Sequence, residues 1–141
     1  MERSDALKPL SRDHHRGLFV AMKLKRADER TASEAREAFL DFFRSDARRH
    51  FRIEEELLLP AYARHGSAEE AAVVRVLTDH VELRSAAADP PESLDSLHLL
   101  GQLLDSHIRH EERVLFPMVE QALPGDELAR LGAEIERAEA A

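Results

Sequence analysis

Cysteine is absent from the 141-residue chain, which excludes disulfides, thiolate nucleophiles, iron–sulfur clusters and cysteine-bound zinc. Any metal must be held by nitrogen and oxygen. Tryptophan is also absent, tyrosine occurs once and glycine five times; the residues that dominate instead are leucine, alanine, glutamate and arginine, all strong helix formers. An all-α protein is expected. No apolar run approaches the ~20 residues of a membrane span, and the first nine residues lack an apolar signal region, so the expected location is the cytoplasm, without a membrane partner. The formal net charge is -8 and no long Lys/Arg block occurs, so nucleic acid is not an expected partner. At this length one domain is expected, large enough to bury roughly two thirds of its unfolded surface.

What is present is a segment that occurs twice. His50-Phe51-Arg52-Ile53-Glu54-Glu55-Glu56-Leu57-Leu58-Leu59-Pro60 recurs as His107-Ile108-Arg109-His110-Glu111-Glu112-Arg113-Val114-Leu115-Phe116-Pro117, with identical residues at six of eleven positions. Residues four apart lie above one another on a helix, so each copy stacks an imidazole and a carboxylate along one face. One such pair is commonly a neutral histidine beside a solvated glutamate. Two copies in matching apolar contexts point to metal ligation.

Taken in order, the periodicity predicts a first helix from about Leu10 to Asp28, with Ser11 or Asp13 as N-cap and an inward line of His15, Leu18, Phe19 and Met22. A second helix runs from about Glu34 to Arg64, its stripe reading Phe39, Phe43, Ala47, His50, Glu54, Leu57, Ala61, with Pro60 kinking or ending it. Gly66 suits a helix stop, and Ser67 with Glu70 has capping-box spacing. The third helix is expected over Ala68 to Ala87 with His80 on its inward line beside Val76 and Leu77. Asp89-Pro90-Pro91 ends it. A fourth covers Glu92 to Ala122 with the stripe Leu97, Leu100, Leu104, His107, Glu111, Val114, Met118. A short amphipathic tail over 125–139 reads as an extra helix, docked or frayed. Short breaks between long helices predict an antiparallel up-down-up-down four-helix bundle over about 10–122 within a single domain.

Four histidines and two core carboxylates exceed a closed four-ligand zinc site and suit two ions. Imidazole with carboxylate fits iron, zinc, copper or nickel better than calcium or magnesium, and paired carboxylates in a bundle core form di-iron or di-manganese sites. Iron leads, with manganese or zinc as substitutes. Glu54 and Glu111 can each bridge both ions, while His15, His50, His80 and His107 terminate the shells and leave positions open for a small ligand. His15 is preferred over His14 because it shares a face with Leu18 and Met22. Glu55 and Glu112 are expected to be solvated, paired with arginines or steadying a ligand histidine; His65, His98 and His110 are read as lying outside the ligand set.

His15 within Asp13-His14-His15-Arg16-Gly17-Leu18-Phe19, His50 with Glu54, His80, and His107 with Glu111 resemble, in order and spacing, the hemerythrin-like, HHE cation-binding family over almost the whole chain. The resemblance implies a four-helix bundle around a non-haem di-iron centre with a bridging oxygen, in a family whose members carry, sense or react with dioxygen or handle iron. The oxygen-carrying branch has a fifth histidine four residues from the one on helix three, where this chain has Val76 and Arg84. This departure favours the bacterial-type variants with redox or sensory roles. Two functions stay open at this point. One is a module that binds or senses dioxygen or a related small ligand, such as peroxide, nitric oxide or an anion; the other is an enzyme recycled by an external reductant. Arg84, if turned inward, would strengthen anion binding.

Overall fold

Residues 2–141 are described by a computed structural model of the chain, in which five helical rods account for nearly everything between short breaks, with no strand among the described residues. We number the rods α1 (Lys8–Lys25, entered through a 3₁₀ turn at Asp5–Leu7), α2 (32–63), α3 (Ala71–Ala88), α4 (94–122) and α5 (Gly125–Ala140). No helix is long and apolar enough to cross a membrane.

The starts of the rods show why each begins where it does. The α1 helix begins earlier than its polar residues suggest, because the Ser4 side chain caps the 3₁₀ turn and Pro9 sits in the first α-turn, where its missing N–H costs nothing. Ser11 and Asp13 are therefore inside the helix and free for other work. The α3 helix starts at Ala71 without a capping box: Ser67 Oγ accepts from the Glu69 N–H at 3.0 Å, and the Glu70 carboxylate accepts from the Tyr62 hydroxyl. The α4 helix is capped by Ser93, whose hydroxyl accepts from Ser96 N–H at 3.1 Å.

The buried line of α1 is Leu10, His14, Gly17, Ala21 and Leu24, while Phe19 is 54% exposed. This corrects the expected stripe by about 100° of rotation. The reason is close approach: a Cβ on Gly17 would lie 2.7 Å from Ile108 Cδ1, and one on Gly101 would lie 2.8 Å from Lys25 N and 2.9 Å from Ala21 O. Small residues bring α1 and α4 together, and bulk at Phe19 and Met22 is turned away.

Both α2 and α4 contain a wide π-helical turn directly after the repeated glutamate, over Glu54–Leu58 and Glu111–Leu115, and α2 has a further one at Phe43–Ala47. In these turns the Leu59 N–H donates to Glu54 O and the Phe116 N–H to Glu111 O, five residues back instead of four. Pro60 and Pro117 come immediately afterwards; a proline offers no N–H and crowds the carbonyl four residues earlier, so neither helix could hold regular bonding there. The extra residue shifts the inward face by one position. Leu58 and Leu115 are fully buried, whereas the expected Leu57 is half-buried and Val114 is 40% exposed. The helices pass through the prolines without ending.

Two apolar clusters result, one around Leu7, Leu58, Val76, Leu115, Phe116 and Val119, the other around Leu24, Phe39, Phe51, Leu83, Leu97 and Leu104. Each fully buried leucine contributes about 1.5–3 kcal/mol. On every one of α1–α4 buried polar residues lie where the helix passes from one cluster to the other. The α5 helix docks on the first cluster through Leu131 and Ile135. Gly101→Ala should lower stability by about 1–3 kcal/mol despite alanine's better helix propensity, because its methyl meets main-chain atoms of α1; denaturant unfolding of the two proteins measures this, and an equal or raised midpoint would contradict the close approach.

Candidate metal centre

Between the apolar clusters lie His14, His50, Glu54, His80, His107 and Glu111, all buried. They form two groups that share both glutamates: His14, His50, Glu54 and Glu111 in one, His80, His107, Glu54 and Glu111 in the other. In the first, His14 Nε2 is 2.8 Å from Glu111 Oε1, and His50 Nε2 is 3.0 Å from Glu54 Oε2 and 3.4 Å from Glu111 Oε1. In the second, His80 Nε2 is 3.0 Å from Glu54 Oε1 and 3.6 Å from Glu111 Oε2, and His107 Nε2 is 3.1 Å from Glu111 Oε2. Each glutamate thus gives one oxygen to each side.

The other nitrogen of every imidazole faces a carboxylate. Nδ1 of His50 lies 3.0 Å from Asp13, that of His80 2.6 Å from Glu55, that of His107 3.0 Å from Asp79 and that of His14 2.5 Å from Glu112. A carboxylate fixes the proton on Nδ1, which leaves Nε2 as the atom presented inward. The four bonds run from α1 to α2, α2 to α3, α3 to α4 and α4 back to α1. Two outer carboxylates are themselves held by arginines that stack on neighbouring rings: Arg84 pairs with Glu55 at 2.8 Å and lies over Phe51, and Arg3 pairs with Glu112 at 3.3 Å and lies over Phe116. Those rings stack in turn on His80 and His14.

The electrostatics result from burying acid and base together. Burial opposes charge on the imidazoles, but the carboxylates outweigh it: Glu111, Glu54 and Glu55 push His80 up to about 10, and Glu111 and Asp79 push His107 up to about 9. His50 is raised well above its usual value against its burial, by Glu54, Asp13 and Glu111, and His14 is raised by Glu111 and Glu112. Glu111, although fully buried, is held well below the carboxylate range by His107, His14 and His50.

The donor set fits a cation. Glu54 Oε1, His80 Nε2, His107 Nε2 and Glu111 Oε2 are buried and have no hydrogen-bond partner, although the pairs His80–Glu54 and His107–Glu111 stand only 3.0 and 3.1 Å apart. These atoms therefore face one another without the alignment of a hydrogen bond, all within 4.8 Å. Buried polar atoms left in that state cost about 1–3 kcal/mol each, which a metal ion with nitrogen and oxygen ligands would offset.

Five of the six residues singled out in the sequence are brought together: His50, Glu54, His80, His107 and Glu111. His15 is not; it is exposed, and His14 occupies the place assigned to it. The rotation of α1 toward Gly17 is the physical cause. Asp13 and Asp79 join the site without being singled out by the ligand spacing, although a signal for both exists, since Asp13-His14 and Asp79-His80 form a second internal repeat on α1 and α3. Arg84 turns to Glu55 and away from the inward-facing atoms, and Val76 lies in the apolar cluster. His110 bonds to no group of the site; its Nε2–H donates to Ala72 O at 3.0 Å. His98 likewise donates to Ala27 O at 2.8 Å, and His65 pairs with Glu127.

Raised imidazole values mean that these groups stabilise the fold fully below their ordinary value of 6.5 and lose that contribution as pH rises through about 9 and about 10. Protein stripped of metal by chelator should therefore show a urea midpoint that falls across this window. Metal-loaded protein should not, because an ion balances the carboxylates without protons. A flat profile in the stripped protein would contradict the charge assignment.

Comparison with known proteins agrees with this arrangement. No curated protein and no solved structure matches the chain. A family model described as the hemerythrin HHE cation binding domain matches residues 10–89, which is more than half of the chain and includes His14, His50, Glu54 and His80. With those residues gathered around shared glutamates in a buried layer, the chain belongs to the hemerythrin HHE cation-binding family.

Proposed function

We propose that this protein holds two iron ions bridged by Glu54 and Glu111, one also bound by His14 and His50 and the other by His80 and His107. The single observation that carries the reading is the division of the glutamate oxygens, one from each carboxylate to each histidine pair, with the unpartnered atoms of both facing inward. The antiparallel up-down-up-down bundle expected from the short breaks is part of this proposal. Iron bound there would supply the one-electron chemistry by which dioxygen, peroxide or nitric oxide is bound or reduced; manganese or zinc would fit the same donors without matching that role.

The chain's own residues set the conditions for that chemistry. Four donors on each side leave positions for a small ligand in a six-coordinate shell. The outer carboxylates Asp13, Glu55, Asp79 and Glu112 orient the rings and increase their basicity. Phe51 and Phe116 cover His80 and His14 and keep bulk water from those faces. The α3 helix offers His80 alone, since Val76 is in the apolar core and Arg84 is engaged with Glu55. This supports a sensing or redox-active centre over a reversible carrier, with an external reductant as partner in the redox case.

Metal analysis of protein purified without chelator, with its optical spectrum, should give two iron ions per chain. Glu54→Ala and Glu111→Ala should each lose both, and His14→Ala should lose metal where His15→Ala does not. Full dinuclear occupancy in both glutamate variants would end the bridging assignment. Stopped-flow mixing of the reduced protein with dioxygen should show rapid passage to a ferric spectrum; a lasting, reversible adduct would return the reading to carriage.

A further inference from the structure

The four outer carboxylates play one role but are held differently from outside. Glu55 and Glu112 each have an arginine, and Asp79 has Arg75, four residues earlier on its own helix, at 3.8 Å. Asp13 alone is met by a residue from α5. Asp13, His50 and Glu139 bring ligand-type atoms within 4.8 Å of one another, and Arg49 Nε forms an ion pair with a Glu139 oxygen at 3.2 Å. Glu134 and Glu136 of the same helix face solvent, whereas the Glu139 side chain is only 16% exposed and its Oε1 is shut away from solvent without a hydrogen-bond partner. A glutamate buried beside another carboxylate is costly unless a cation or a shared proton offsets the repulsion, and Arg49 supplies the cation here.

We propose that Glu139 is a positioning residue for the ion between His14 and His50: spanning Arg49 and Asp13, it fixes the Asp13 carboxylate on His50 Nδ1 and so makes the docking of α5 part of one metal position and not the other. The inference rests on the dinuclear reading above. It is specific because the chain contains its own control. The Asp79–His107 pair has the same bond length as Asp13–His50, 3.0 Å in both, but its outer neighbour lies on its own helix. Whatever loosens Glu139 should therefore act on one ion of the two.

The test uses the full chain loaded with Co(II), with stoichiometry measured by elemental analysis and release into excess EDTA monitored by Co(II) absorption. Asp13→Asn marks the release phase of the ion between His14 and His50, and Asp79→Asn that of the other, since loss of such an outer partner weakens metal binding about 10–100-fold. Glu139→Ala should accelerate the phase marked by Asp13→Asn by about 10-fold, the low end of that range because it acts one contact further out. It should leave the phase marked by Asp79→Asn unchanged; if the wild-type rates coincide, it should split them. Glu139→Gln should restore the wild-type rate, because its amide N–H can reach Asp13 while its oxygen keeps Arg49. Two ions released from Glu139→Ala at unchanged rates would overturn this inference alone. So would acceleration of both phases in step with a lowered unfolding midpoint, which is what simple loosening of α5 produces. Wild-type protein that binds one Co(II) would overturn the dinuclear reading and this inference with it.

Discussion

The structure depends on a closed circuit of four imidazole–carboxylate bonds. Asp13 on α1 holds His50 on α2, Glu55 on α2 holds His80 on α3, Asp79 on α3 holds His107 on α4, and Glu112 on α4 holds His14 on α1. Apolar packing above and below supplies the driving force for burial, but it is tolerant of small slides. The circuit is not. Turning any one helix by a residue moves its histidine or its carboxylate by about 100° and breaks two of the four bonds, leaving charged groups buried without partners, at a cost of several kcal/mol. The polar layer therefore fixes the relative register of α1–α4, and the two apolar clusters stabilise whichever register the layer allows.

The wide turns belong to the same constraint. On α2 and α4 a histidine must present Nε2 to the interior while the glutamate four residues later lies in the same layer and the next glutamate reaches sideways to another helix. Placing the π turn directly after His50-x-x-x-Glu54 and His107-x-x-x-Glu111 leaves the His–Glu spacing regular and displaces only the residues C-terminal to it. Pro60 and Pro117 make regular bonding past that point impossible, so the same sequence element that carries the ligands also carries the break in the helix. Wide turns of this type cluster at functional sites.

Much of this is legible in the sequence, and the failures have definite causes. The duplicated segment identifies four of the six inward residues because ligand spacing within one helix is a local property, and His80 stands out as the histidine on the apolar line of its helix. Periodicity favours His15 over His14 because Phe19 and Met22 outweigh Gly17 and Ala21 on any hydrophobic scale, whereas close helix contact selects the small residues. The repeat Asp13-His14 and Asp79-His80 decides the matter the other way. Leu57 and Val114 read as inward only when a constant 3.6-residue period is carried through two turns that are wider than that. The roles of Asp13, Asp79 and Glu139 are set by neighbouring helices; along the chain the Asp-His repeat marks the first two, and nothing marks Glu139.

The charges around the layer bear on what it can hold. Six carboxylates meet the layer: Glu54 and Glu111 within it and Asp13, Glu55, Asp79 and Glu112 around it. Arg84 pairs with Glu55, Arg3 is shared between Glu112 at 3.3 Å and Glu120 at 2.7 Å, and Arg75 reaches Asp79 only at 3.8 Å with its side chain 47% exposed. The pair Arg49–Glu139 adds no net charge. The carboxylates therefore outnumber the arginines, and protons on the imidazoles make up the difference, in line with the raised values of all four histidines. A divalent ion that displaces the protons of one histidine pair leaves those of the other pair in place. Exchange of protons for divalent ions thus keeps the layer close to neutral, so the circuit of bonds around it can remain intact while its contents change.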